Sequence, residues 1–159
     1  RGGADFVLIC TNTMHKMAED VAANINIPLL HIVDATAEKI IPFGFKKLGL
    51  LGSTFTMEED FYKGRLKREY DLDVVTPNET DRQIVDNVIF NELCLGEIKD
   101  SSREQIKTIM KKLIDNGAQG IILGCTELPL LIKQRDCPVP LFDTTAIHAK
   151  AAVDYAFKN

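Results

Sequence analysis

The sequence predicts an α/β fold of two similar Rossmann-like lobes with parallel sheets, related by a pseudo-twofold axis, with an active site in the cleft between them. Three observations lead there. The first is a duplication: Gly3-Ala4-Asp5-Phe6-Val7-Leu8-Ile9-Cys10-Thr11-Asn12 and Gly117-Ala118-Gln119-Gly120-Ile121-Ile122-Leu123-Gly124-Cys125-Thr126 are both apolar runs ending in a small polar cluster. Their shared Gly-Ala start puts Thr11 opposite Cys125, and Pro28-Leu29-Leu30 leading to Asp34 then matches Pro140-Leu141-Phe142 leading to Asp143. The second is the alternation of strand-like and helix-like segments, which implies right-handed crossovers and parallel pairing. The third is that Thr11, Ser53 and Cys125 fall just past expected strand ends, where open parallel sheets bind ligands.

The elements follow in order. Phe6 to Cys10 is a continuous apolar run, as expected of a strand covered on both faces. Met14 to Asn24 reads as a helix, Ile27 to Val33 as a second strand, and Ala35 to Ile41 as a short helix ending at Pro42 and Gly44. Lys47 to Gly52 is the next buried strand, followed by a Ser53–Thr56 turn. The helix Met57 to Tyr70 places acids in its first turn and Lys67 and Arg68 near its end, which suits the macrodipole. Leu72 to Val75 is a short strand. Asp81 to Leu95 has apolar residues at helical spacing up to Gly96, and Ser101-Ser102-Arg103-Glu104 looks like a capping start for a helix through Asp115. The strand Gly120 to Gly124, a helix from Thr126, the strand Val139 to Phe142 and an amphipathic helix Ala146 to Phe157 complete the chain. The expected division is 1–43 for the remainder of the first lobe, with the helix 146–159 packing back on it, and 44–145 for the second. Arg1-Gly2-Gly3-Ala4-Asp5 reads as the end of a helix entering a strand, so an N-terminal portion of the first lobe is expected upstream of Arg1.

Composition excludes several classes. With 159 residues and 45% hydrophobic content the chain can bury a sizeable core. Its net charge of −4, with Lys and Arg scattered, offers no field for nucleic acid. No apolar stretch approaches the ~18 residues a membrane span needs, and no secretory leader is visible. A soluble, cytoplasmic protein is expected. Cys10, Cys94, Cys125 and Cys137 lack zinc-ligand spacing and suggest no disulfide framework, so free and mostly buried thiols are expected.

Gly124-Cys125-Thr126-Glu127 is the sharpest motif. A cysteine between a strand end and a helix start meets backbone N–H donors that favour thiolate; the alternative is a small buried hydrophobe ending a strand. Thr11-Asn12-Thr13-Met14-His15 is the matching cluster, able either to hold a substrate carboxylate or amine or simply to cap a helix. His15 inside that helix reads as a structural hydrogen-bonding residue. Cys10 should point into a lobe if Thr11 points into the cleft, since strand side chains alternate. Ser53, Thr54 and Thr56 form a second anion cradle or an ordinary cap, whereas Asp34 and Asp143 read as caps.

Together these clusters resemble the aspartate/glutamate racemase family, whose motifs look like Cys-Asn-Thr-x-His and Gly-Cys-Thr-Glu. The second is complete at Gly124 to Glu127. The first aligns as Thr11 to His15, with Thr11 where the family's first catalytic cysteine stands. Leu51-Gly52-Ser53 with Thr56-Met57 resembles the family's central substrate turn, and Asn91 to Gly96 its long-helix ending, with Cys94 where some relatives carry a basic residue. The resemblance implies racemization of aspartate or glutamate without pyridoxal phosphate or another cofactor, by a homodimer. It assigns catalysis to Cys125 and Thr11, and substrate binding to Asn12, Thr13, Ser53, Thr54, Thr56, Thr126 and Glu127. Cys125 is the competent base, expected to face the L enantiomer. Thr11 is a weak donor, because its alkoxide is inaccessible near neutrality. Two other classes fit: a single-cysteine decarboxylase or cis-trans isomerase of the same superfamily, and a non-catalytic amino-acid-binding protein.

Overall fold

A computed structural model describes residues 2–158; the expected outer boundaries at Arg1 and Asn159 lie outside the described residues. In chain order the elements are β1 (Val7–Leu8), a 3₁₀ turn (Thr13–Met17), α1 (Ala18–Ala23), β2 (Leu29–Leu30), α2 (Ile32–Ile40), β3 (Lys47–Gly52), α3 (Thr54–Glu58), α4 (Asp60–Tyr70), β4 (Asp73–Val75), α5 (Glu79–Asn91), a 3₁₀ turn (Leu93–Leu95), α6 (Asp100–Asp115), β5 (Gly120–Gly124), α7 (Leu128–Leu131), β6 (Leu141–Asp143) and α8 (Thr144–Ala156). All described strand pairs are parallel: β1 with β2, and a four-stranded sheet in the order β4-β3-β5-β6.

The duplication survives at the level of single hydrogen bonds. Val7 pairs with Leu29 and Leu8 with Leu30, while Ile121 pairs with Leu141 and Ile122 with Phe142. Val7 N–H donates to Pro28 O at 2.9 Å, as Ile121 N–H does to Pro140 O at 2.9 Å. The helices that follow are capped at equivalent positions, α2 by His31 and α8 by Asp143.

Side chains of the four-stranded sheet alternate between two cores, as the pleat requires. Leu51, Ile121 and Leu123 pack with Val85, Ile89, Ile106 and Leu113 of α5 and α6. Leu48, Leu50, Ile122 and Phe142 pack with Ile32, Val33 and Ile40 of α2 and with Tyr62 and Leu66 of α4. The second cluster joins residues on both sides of position 43. Gly52 and Gly124 are register partners at the ends of β3 and β5, and a Cβ on Gly52 would stand 2.7 Å from Gly124 O. That close approach brings Ser53 and Cys125, each the next residue along, toward one another.

Several expectations are corrected. β2 is only Leu29–Leu30, because Ile32 and Val33 form the buried first turn of α2 rather than continuing the strand. The helix expected from Met57 to Tyr70 begins earlier, at Thr54, and breaks at Glu59, whose ψ of 156° is extended. The helix α6 starts at Asp100 after Lys99, not at a Ser101 cap; Ser102 is buried and donates to Glu92 at 2.5 Å. Asp34 caps nothing: Arg65 donates to both its carboxylate oxygens, at 2.6 and 2.8 Å. β1 is half-buried rather than covered on both faces. Of the four thiols only Cys137 is buried, with Cys10 and Cys94 exposed and Cys125 in between. Cys10 escapes the expected inward orientation because pairing ends at Leu8 and alternation no longer governs it.

Candidate active site

A cleft of about 200 Å³ lies beyond the strand ends, lined by the Thr11–Thr13 segment, Ser53, Gly124 to Glu127, and Ile89, Phe90 and Cys94 from the end of α5 and its 3₁₀ turn. The two halves of the repeat therefore present Thr11 and Cys125 to one space. Larger grooves exist elsewhere, such as one of about 550 Å³ between Phe43 and Pro140, but it contains neither thiol nor hydroxyl cluster.

Cys125 occupies the bend between β5 and the single turn of α7. Its Sγ donates to Glu127 Oε2 at 3.0 Å, and Thr126 Oγ1 donates to the same oxygen at 2.5 Å. Burial and the Glu127 hydrogen bond push the thiol up to about 12, against backbone hydrogen bonds at Glu127 and Leu128 that favour the thiolate. The expectation of a thiolate-enriched cysteine is thus corrected: the N–H donors are present, but a one-turn helix cannot outweigh burial beside a carboxylate. Burial works against ionisation of Glu127, yet the hydrogen bonds from Cys125 and Thr126 hold its carboxyl below the usual range. Cysteine and glutamate form a thiol-to-carboxylate hydrogen-bonded pair with the proton on sulfur.

On the other side, Asn12 is buried; its Nδ2 donates to Thr144 Oγ1 at 3.0 Å, and that hydroxyl donates to Leu123 O at 2.9 Å. This relay fixes the amide's orientation, since the threonine hydroxyl has already committed its proton. Asn12 Oδ1 is left as a buried acceptor without a hydrogen-bond partner, closed off from solvent although the residue lines the cleft. Thr13 Oγ1 lies 2.9 Å from Ser53 Oγ and 3.3 Å from Thr56 Oγ1, a triangle of hydroxyls closed by Ser53 and Thr56 at 3.2 Å. Ser53 also caps α3, accepting weakly from Thr56 N–H at 3.4 Å, so cradle and cap are one group.

The structure gathers Thr11, Asn12, Thr13, Ser53, Cys125, Thr126 and Glu127 around one cleft. It does not place Thr54 or Thr56 on its wall. Thr54 turns to α5, its N–H donating to Asp86 at 2.8 Å, and Thr56 is fully buried behind Ser53. Ile89 and Phe90 were not legible as lining residues, since nothing in the helical pattern of α5 marks the turn that docks against Cys125. His15, buried, holds Thr11 O through Nδ1 at 2.7 Å and accepts from Ile32 N–H at Nε2, 3.1 Å away.

An α/β scaffold of parallel sheets with a thiol–carboxylate pair and a hydroxyl-amide cluster at its strand ends defines a class of small-molecule site built without clustered cations. The chain belongs to the Asp/Glu/hydantoin racemase family, whose model matches residues 1–152. It is 53% identical to a presumed Asp/Glu racemase of known structure from Yersinia pestis, covering 98% of this chain and 67% of that one with a TM-score of 0.93. An aspartate racemase homologue from Pyrococcus horikoshii OT3 is 41% identical, with 98% of this chain and 68% of that chain covered and a TM-score of 0.88. RacX of Bacillus subtilis (strain 168), a broad-specificity amino-acid racemase, is 26% identical over 95% of this chain; the match spans 64% of RacX. The two-lobed α/β fold of these racemases extends to the glutamate racemase of Francisella tularensis, at 17% identity, 98% of this chain and 58% of that chain, and a TM-score of 0.73. Among the described residues no helix is long and apolar enough to cross a membrane.

Proposed function

We propose that this chain carries the proton-transfer site of a cofactor-independent racemase acting on an acidic amino acid, aspartate or glutamate, with exchange of the L form favoured. The observation that carries the reading is the Cys125–Glu127 pair in a cleft shared with Thr11 and Asn12. The hydroxyls of Thr13 and Ser53 are suited to a substrate's carboxylate, and binding that uncovers the unpaired, buried Asn12 Oδ1 would give its α-ammonium an acceptor. Transfer of the sulfur proton to Glu127 leaves a thiolate that takes the α-proton, and the electron pair spreads into the substrate carboxylate.

The proton then returns by one of two routes. From Cys125, once the sulfur has traded the abstracted proton for a solvent-derived one held on Glu127, it restores the same enantiomer with exchange. From the Thr11 hydroxyl on the opposite face it completes inversion, leaving an alkoxide that solvent reprotonates while Glu127 releases its extra proton to solvent. The second route is the slower, so exchange outruns racemization. In this reading residues 1–43, with the C-terminal helix from position 146 packed back on them, form one lobe and residues 44–145 the other, in a cytoplasmic homodimer.

The test incubates each amino acid with the protein in heavy water and follows the α-proton by NMR and chirality by circular dichroism. The kinship with RacX, a broad-specificity amino-acid racemase, adds amino acids other than aspartate and glutamate to the panel. Exchange without inversion, or ahead of it, supports the reading. Binding without exchange favours a non-catalytic module, and carbon dioxide released from a substituted malonate favours a single-cysteine decarboxylase.

A further inference from the structure

The segment that carries Thr11 and Asn12 is poorly fixed by secondary structure. Pairing of β1 ends at Leu8, Cys10 beyond it is exposed, and the next turn begins at Thr13. Buried side chains tie it to the fold: Asn12 through Thr144, and His15, which holds the backbone itself. His15 Nδ1 is 2.7 Å from Thr11 O, and a carbonyl only accepts, so the ring proton sits on Nδ1. Nε2 is then the acceptor for Ile32 N–H at 3.1 Å, which satisfies the first turn of α2. The tautomer follows from the two partners. The imidazole is wedged between the other two histidines, with ring centroids 4.5 Å from His31 and 5.8 Å from His148. His148 in turn lies 2.8 Å from Leu30 O through Nε2.

Resting on the racemase reading above, we propose that His15 is a positioning residue of the cleft, its Nδ1–H setting where Thr11 and Asn12 stand while its Nε2 anchors that setting to α2. His15 is not among the residues lining the cleft, and its proton is committed to a backbone carbonyl, so it acts through Thr11 rather than on substrate. The same scaffold bond is absent in the second repeat unit, where Cys125 is followed by a proline-containing turn and is held by β5.

Two conservative variants separate the two bonds. His15→Asn can put an amide nitrogen near the Nδ1 position and keep the Thr11 carbonyl, while losing the acceptor for Ile32. His15→Gln can put its oxygen near the Nε2 position and keep Ile32, while releasing Thr11. In heavy water the ratio of racemization to α-proton exchange should fall by about fivefold or more in the glutamine variant and hold within about twofold in the asparagine variant. A structural role alone would lower both rates in proportion to the folded fraction and leave the ratio unmoved in both. The backbone amide spectrum decides the matter independently of turnover: the Asn12 amide should move in His15→Gln and the Ile32 amide in His15→Asn. If the parent protein exchanges no α-proton, the racemase reading fails while the amide pattern still judges His15. Equal ratios, or amide shifts with the opposite assignment, overturn the proposal.

Discussion

Glu127 accepts a hydrogen bond from Cys125 at 3.0 Å, and this contact reinforces what burial does to the thiol's protonation. Burial first, and the carboxylate after it, push the thiol up to about 12 and keep it protonated, so the pair delivers a thiolate only by moving a proton from sulfur to Glu127. Replacing Glu127 by Gln removes the charge and the ionic acceptor. The Cys125 pKa should fall toward the ordinary thiol range, read from thiolate absorbance against pH with Cys125→Ser as the blank. Alpha-proton exchange should fall by about tenfold or more, because the proton has lost its acceptor. A thiol that titrates unchanged would show that burial alone raises it.

Thr11→Cys addresses the opposite face. A thiol ionises many orders of magnitude more readily than a threonine hydroxyl and can act as acid and base by turns. Racemization should rise relative to exchange. Enantiomers have equal free energy in water, so kcat/KM must remain equal in the two directions in both proteins. No gain in the ratio would mean that Thr11 does not limit inversion.

Thr144→Val removes the hydroxyl that links Asn12 Nδ2 to Leu123 O, at 3.0 and 2.9 Å, with little change of shape. Two buried groups lose their partner, so urea unfolding should show a loss of about 1–3 kcal/mol. KM should rise as well, since the Asn12 amide is freed to rotate. A stability loss with KM unchanged would separate Asn12 from substrate.

The histidine cluster predicts an acid-sensitive fold. Burial lowers His15 from 6.5 to about 4, with His148 and Arg65 adding to it and Thr11 O and Asp34 opposing. Burial likewise lowers His31 to about 3, reinforced by His15, Arg65 and His148 and opposed by Asp34. Both folded pKa values lie below the unfolded one, so the unfolded chain binds more protons in the window between. The stability they contribute is complete above about pH 6.5 and drains as pH falls toward about 4 for His15 and about 3 for His31, by about 1.4 kcal/mol per pKa unit at each site at most. Urea midpoints between pH 7.5 and 4.5 should fall, and His15→Leu should flatten the fall. Asp34 is also held low by Arg65, but its contribution is lost only at more acid pH.

Much of this was legible in the sequence. The repeat placed Thr11 opposite Cys125, and the paired registers of Val7 with Leu29 and Ile121 with Leu141 bear that alignment out at backbone resolution. What failed had physical causes. Ile32-Val33 continues an apolar run, and a buried strand end followed by a buried helix start shows no change of period. Glu58-Glu59-Asp60 are all tolerated in helices, so the break at Glu59 carries no propensity signal. The thiol's raised pKa was hidden because the motif advertises N–H donors, while burial and the Glu127 contact belong to tertiary structure. Thr56 read as a ligand-facing hydroxyl, but packing against Thr13 and Ser53 puts it behind the wall.

The most direct test of the account compares Cys125→Ser with Cys10→Ser in heavy water, after circular dichroism has shown both to be folded. Cys125 lines the cleft beside Glu127, and Cys10 is exposed and absent from it. Loss of the thiol base should cut α-proton exchange on L-aspartate or L-glutamate by about a hundredfold or more in the first variant, with the second staying close to the parent protein. Equal losses in the two folded variants, or exchange that persists without the Cys125 thiol, would contradict the assignment of proton transfer to Cys125.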